Sequence, residues 1–179
     1  MKTIYIERST GSARDGTWTK ELSMEGVERI VVGIGPGSFA GIRSAIAFAR
    51  GYALGRPCEV LGLPSPCAIA AQLGGEGRLA VVGDARRGKL WVALFDGLDL
   101  LGGKVSLCDA CALREAVPEG CRATTPDGAR IGDFLRDALG SDYIGETLPN
   151  AEGLRMFAEA KPGALVQNPL PLYLSPAVR

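Results

Sequence analysis

The apolar positions of this chain change period several times, and each change predicts an element. Residues 3–6 alternate as a half-buried strand does, and after a polar turn at 11–16 residues 17–22 form a second short strand, so the opening reads as a hairpin. A β-branched run at 29–34, bounded by glycines, has the character of a buried strand and enters the turn Gly35-Pro36-Gly37. Ser38 then stands where a helix cap belongs, and the helix from 39 to about 54 stops at Gly55 ahead of Arg56-Pro57. A strand at 59–63 and a helix at 67–73 follow, the helix starting at Ser65 or Pro66 and ending in Gly74, Gly75 and Gly77. Strands at 78–82 and 89–95 flank the polar loop 83–88, which reads as too long for a two-residue turn yet suits an antiparallel pair. Beyond it the pattern predicts a strand at 103–107, a helix at 110–117 capped by Asp109, helices at 131–139 and 151–160, and an extended proline-rich tail lying on the surface or back on the first lobe.

These elements group into a first lobe over 1–97, containing the helix 38–54, a second lobe over 98–164, and a tail over 165–179 packing on the first lobe. With 179 residues, 46% of them apolar, the chain fits one sizeable core or two small lobes. Twenty basic residues balance twenty acidic ones, so no net field attracts a polyanion, and autonomous nucleic-acid binding is not expected. The opening residues lack the apolar centre of a signal peptide, and no uncharged run approaches the roughly 20 residues that span a bilayer, so a soluble cytoplasmic protein without membrane contact is expected.

Histidine is absent, which excludes Ser-His-Asp and Cys-His machinery and histidine metal sites. Glu7, Asp84 and Asp96 lie near strand ends, where carboxylates are ordinarily surface or turn residues, so no catalytic residue is assigned. Of five cysteines, Cys108 and Cys111 form a Cys-x-x-Cys pair and Cys121 follows ten residues on. A fourth ligand is missing and Cys58 and Cys67 are remote in sequence, so reduced thiols and no metal are expected.

Two stretches carry candidate function. The turn Gly35-Pro36-Gly37-Ser38 lacks the lysine of a P-loop and the acidic partner of a dinucleotide fingerprint, leaving two readings open: a helix start that meets an anion, or a tight strand-to-helix connection. Along the following helix Gly37, Gly41, Ala45, Ala49 and Ala53 recur every four residues, a seam of small side chains flanked by Phe39, Ile42 and Ile46, with Arg43, Ser44 and Arg50 as the distinctly polar positions. A helix apolar almost all round is covered on both sides, here either by a partner protein or by the second lobe. The partner reading takes Gly35, Pro36, Gly37, Ser38, Phe39, Gly41, Ile42, Arg43, Ala45, Ile46, Ala49 and Arg50 as the binding residues. Asp84, Arg86 and Arg87 form a second candidate contact loop, with a solvated hairpin end carrying a local ion pair as the alternative.

Three motifs together resemble the TsaB (YeaZ) family: residues 33–43, ending Gly-Pro-Gly-Ser-Phe-Ala-Gly-Ile-Arg; the loop Asp84-Ala85-Arg86-Arg87-Gly88-Lys89; and Pro171-Leu172-Tyr173-Leu174. The resemblance implies an α/β protein of the actin/Hsp70/ribonuclease-H-like fold, two related lobes with mixed sheets flanked by helices. It also implies a non-catalytic subunit in tRNA threonylcarbamoyladenosine modification that pairs with a TsaD-like paralogue and a TsaE-like ATPase. In this picture ATP, metal and tRNA enter through the complex, and the chain has no cofactor of its own. The alternatives are an ATP-dependent enzyme of the same fold and a diverged, self-associating module outside the tRNA pathway. Two departures from the family pattern stand out. Only residues 23–28 separate Leu22 from Arg29, where the family has a long helix of the pairing surface, so the partner surface is altered or the chain pairs with itself as a homodimer. Glu7-Arg8-Ser9-Thr10 replaces the usual Asp-Thr-Ser-Thr, which weakens any nucleotide site in this lobe.

Overall fold

The computed structural model describes residues 1–10 and 23–174, so the second strand of the expected hairpin, at 17–22, lies outside the described residues. The chain divides into two compact units, Met1–Ala68 with Pro149–Leu172, and Ile69–Leu148 with 173–179, of which 173 and 174 are described.

In the first unit β1 (Lys2–Ile6), β2 (Val27–Gly33) and β3 (Glu59–Leu63) pair in parallel, and β10 (Val166–Gln167) joins β3 antiparallel. Parallel strands require a crossover, and α1 (Phe39–Ala53) supplies it between β2 and β3. The strand period of two distributes the side chains: Ile4, Ile6, Ile30 and Val32 join Ile42, Ala45, Ile46 and Ala49 of α1 in one core, while Tyr5 lies beside Arg155 and Glu159 of α5 (Ala151–Ala160). Asn150 caps α5 by accepting from the Gly153 amide at 2.8 Å, and Leu154, Phe157 and Ala158 form its buried face.

In the second unit the strand order is β6 (Asp99–Leu100), β5 (Lys89–Asp96), β4 (Arg78–Arg86), β8 (Arg122–Thr125) and β9 (Tyr143–Glu146), with β7 (Ser106–Asp109) also paired to β5. β4–β5 is antiparallel and β4–β8–β9 parallel, so this sheet too is mixed. Its core joins Ala80, Val82, Leu90, Val92 and Ala123 to Leu113 of α3 (Leu113–Ala116) and to Leu135 and Leu139 of α4 (Gly128–Leu139). The chain passes from one unit to the other within α2 (Ser65–Gln72), whose residues Cys67 to Ala71 are all buried.

Most predicted elements occur within a residue or two of their expected bounds, and the differences have local causes. The 83–88 loop closes in two residues after all: β4 runs on to Arg86, which pairs with Lys89 across the turn Arg87-Gly88. The extra length is absorbed by a bulge between Asp84 and Arg86, with Arg86 at φ 70°, Arg87 at 55° and Gly88 at 73°. Asp109 does not cap a helix with its side chain; its carboxylate takes the Lys89 ammonium at 2.8 Å across the β5–β7 pair, and the expected helix at 110–117 becomes a 3₁₀ turn over Ala110–Ala112 followed by the single turn α3. The strand expected at 103–107 starts later, at Ser106, after a tight turn over Leu101–Gly103.

Candidate functional site

The motif at 35–38 is a junction of three backbone segments. Gly35 has φ +92°, the Gly35–Pro36 peptide is cis, and Gly37 has φ +150°, a conformation suited to glycine. The Gly35 amide donates to Ser65 Oγ at 3.1 Å and its carbonyl accepts from the Ser65 amide at 2.9 Å, tying the turn to the start of α2. Ser38 caps α1 as its sequence position predicts, its Oγ accepting from the Gly41 amide at 3.3 Å, while the Ser38 amide donates to the Ser9 carbonyl. The Gly35, Ser38 and Gly41 amides around this helix start are therefore already engaged, which favours the structural-connection reading of the turn.

The small-residue seam of α1 faces the opposite way from the docking expectation. Gly41, Ala45 and Ala49 are buried together with Ile42 and Ile46, and any Cβ at position 41 would overlap the Arg8 carbonyl oxygen. The seam lets the helix lie close upon its own unit, and of the binding residues expected from sequence, Gly35, Pro36, Gly41, Ile42, Ala45, Ile46 and Ala49 are inside. Gly37, Phe39, Arg43 and Arg50 are exposed and Ser38 is half-buried. Arg43 stacks on the Phe39 ring, 4.8 Å from its centroid, and Arg50 donates to the Pro169 carbonyl at 2.9 Å, fixing the segment that follows β10.

The outward face has its own small-residue row, overlooked in the sequence: Ala40, Ser44, Ala47 and Gly51, spaced four, three and four residues apart. Phe39 stands at one end, 56% exposed, and Leu54 at the other, 81% exposed. The signal was present in the same helix one register away; α1 carries two such rows, and burial alone distinguishes them.

In the second unit Asp84, Arg86 and Arg87 occupy the end of the β4–β5 hairpin. Asp84 accepts from the Arg86 amide at 2.8 Å and pairs with the guanidinium groups of Arg86 at 3.3 Å and Arg130 at 3.2 Å; Arg130 also pairs with Asp127. The Asp84 amide in turn donates to Asp127 Oδ2 at 2.8 Å. Asp84 is thus part of an internally compensated cluster that shapes the turn, while Arg86 and Arg87 point outward.

Glu7 departs from the surface reading of its position. Past the end of β1 the residue is half-buried, with Oε2 sealed from solvent: Oε1 accepts from the Ser9 amide at 2.7 Å, and Oε2 has no hydrogen-bond partner among the described residues. Burial pushes this carboxyl above the usual carboxylate range, against the lowering influence of the Ser9 amide and hydroxyl, the Ser65 hydroxyl and the Arg8 amide. Among the described residues no cluster of three or more His, Cys, Asp or Glu side chains forms a metal site, and no helix is long and apolar enough to cross a membrane.

Residues 18–114, more than half of the chain and including both α1 and the Asp84 hairpin, match the family model described as TsaD, tRNA N6-adenosine threonylcarbamoyltransferase. The chain belongs to the TsaD/TsaB (YeaZ) family. It is 29% identical to the tRNA threonylcarbamoyladenosine biosynthesis protein TsaB of Escherichia coli, over 95% of this chain and 80% of that protein. An uncharacterized protein of Mycobacterium tuberculosis is 37% identical over 57% of this chain and 48% of its own length, so the chain spans about half the length of that relative. YeaZ from Pseudomonas aeruginosa superimposes with a TM-score of 0.63 at 24% identity, covering 83% of this chain and 74% of that one. A second Pseudomonas aeruginosa structure, of an uncharacterized protein with similarity to peptidase YEAZ, gives the same values. The fold is the actin/Hsp70/ribonuclease-H-like one, as the sequence motifs implied.

Proposed function

We propose that this chain is a non-catalytic subunit of the machinery that makes tRNA threonylcarbamoyladenosine, and that it docks a TsaD-like transferase through the outward face of α1. The observation that carries the reading is the row Ala40, Ser44, Ala47 and Gly51, exposed between Phe39 and Leu54 within the stretch that matches the TsaD family model. Small side chains let a partner helix approach the backbone closely, and the apolar ends exclude water at the margins of such a contact. The name borne by the Escherichia coli relative supports the pathway. The absence of histidine supports a subunit without catalytic machinery of its own, since the transferase chemistry then belongs to the partner. A TsaE-like ATPase completes the assembly in the cytoplasm; ATP, metal and tRNA are handled by the complex, and this chain contributes surface.

Size-exclusion chromatography of the purified chain with the TsaD-like protein of its own organism, with and without the TsaE-like ATPase and ATP, tests the reading. Co-migration that Ala47→Trp abolishes is expected. Absence of co-migration in every combination overturns it, and a concentration-dependent dimer of the chain alone on the same face would replace it with self-association. Saturable ATP turnover by the isolated chain would favour an enzyme of the same fold instead.

A further inference from the structure

We propose that Glu7 is a proton-held latch: its neutral carboxyl closes the junction of β1, β2 and the first turn of α1, and loss of the proton loosens the amino end of that helix. Three observations meet at this position. Oε2 is sealed from solvent and unpartnered among the described residues, although a buried carboxylate oxygen ordinarily takes a hydrogen bond. The carboxyl lies directly on the α-carbon of Gly33 in β2, so closely that a side chain there would occupy its place. The two residues that follow Glu7 hold α1: the Ser9 carbonyl accepts from the Ser38 amide, and the Arg8 carbonyl lies against Gly41.

An ionised carboxylate in this position has half of its charge unsolvated and without a donor, whereas a neutral acid leaves at most an unpaired O–H there, a smaller deficit than an unpaired charge. Among the described residues, the groups from each packed segment that act on it are the Ser9 amide and hydroxyl and the Arg8 amide from its own loop, and the Ser65 hydroxyl from α2; β2 presents only the bare Gly33, and no neighbouring side-chain charge compensates it. Because folding raises the carboxyl's affinity for its proton, the stability this confers is complete below the unfolded carboxylate value and is lost as pH rises through the higher value of the folded chain. Each unit of separation between the two values corresponds to about a tenfold loss in the folding constant at high pH. Nothing in the latch itself depends on the proposed partner; only its consequence, a pH-sensitive presentation of the α1 face, rests on the docking reading.

Carboxyl ¹³C NMR titration of the chain alone, labelled at glutamate and with Glu7 assigned through Glu7→Gln, reads the proton directly. We expect one glutamate to titrate above the others, with the Ser38 and Gly41 amide signals moving at the same midpoint. Glu7 titrating with the exposed glutamates, or titrating without movement of those amides, overturns the latch. As a second readout, the wild-type chain loses thermal stability as pH rises above the ordinary carboxylate range and Glu7→Gln does not. Equal pH profiles overturn the proposal, and should the variant fail to fold, the wild-type titration decides alone by the high-pH glutamate and its coupling to the α1 amides. A latch found in the isolated chain alongside absent co-migration with the transferase would remove the docking reading and leave this one standing.

Discussion

Gly41 shows how a single atom governs the position of α1. Its α-carbon lies against the Arg8 carbonyl oxygen, a rigid backbone group that cannot move aside as a flexible side chain does. Gly41→Ala therefore forces helix and loop apart, and a loss of more than about 2 kcal/mol in thermal or urea unfolding is expected; a variant within about 0.5 kcal/mol of wild type would mean the contact yields. The cysteines make a second, chemical contrast. Burial pushes the Cys67 thiol up to about 12, whereas Cys111 is exposed. Because the thiolate is the nucleophile, iodoacetamide at about pH 8 should alkylate Cys111 and spare Cys67 until the chain is denatured, as peptide mass spectrometry would record. Glu7 belongs at this scale too. An acid at a strand end has the sequence signature of a surface residue, and only the packing of Gly33 and Ser9 around it shows otherwise.

As an element, α1 separates its duties by register: the row beginning at Gly41 packs inward and the row beginning at Ala40 faces solvent. Ala47→Glu on the outer row should leave unfolding within about 0.5 kcal/mol of wild type while abolishing co-migration with the transferase, whereas an inner-row substitution such as Ala45→Leu should destabilise the chain itself. Two-row helices explain why seven of the twelve contact residues expected from sequence are buried: spacing identifies a close-approach seam without saying which neighbour approaches. The β4–β5 hairpin is governed by Asp84, which accepts from the Arg86 amide and pairs with Arg130. Asp84→Ala should cost about 1–2 kcal/mol and speed hydrogen exchange at Arg86, and unchanged exchange would show that the bulge stands without it.

At the level of the molecule, residues 149–172 complete the first unit through α5 and β10. A chain ending at Leu148 should lose protection of the β1–β3 amides in hydrogen exchange and bind a hydrophobic dye, since Leu154 and Phe157 are both nearly fully buried. The motifs at 33–43 and 84–89 made the fold legible, because a strand-turn-helix with paired glycines and a serine cap leaves few alternatives. Long periodic segments such as α1 and α5 were equally plain. The strands β8, β9 and β10 were not, for opposite reasons: Arg122–Thr125 lies in a stretch rich in proline, glycine and threonine, and the others are two to four residues long with no decisive alternation. Their place is set by the sheets they join. The return of the chain at Pro149 has a consequence for biosynthesis. Roughly 80 residues leave the ribosome between Ala68 and the segment that finishes the first unit, a delay of several seconds at about 5–20 residues per second. During that interval the second unit can close on itself while β1, β2 and β3 wait with their α5-facing side uncovered, so the half made first is the half finished last.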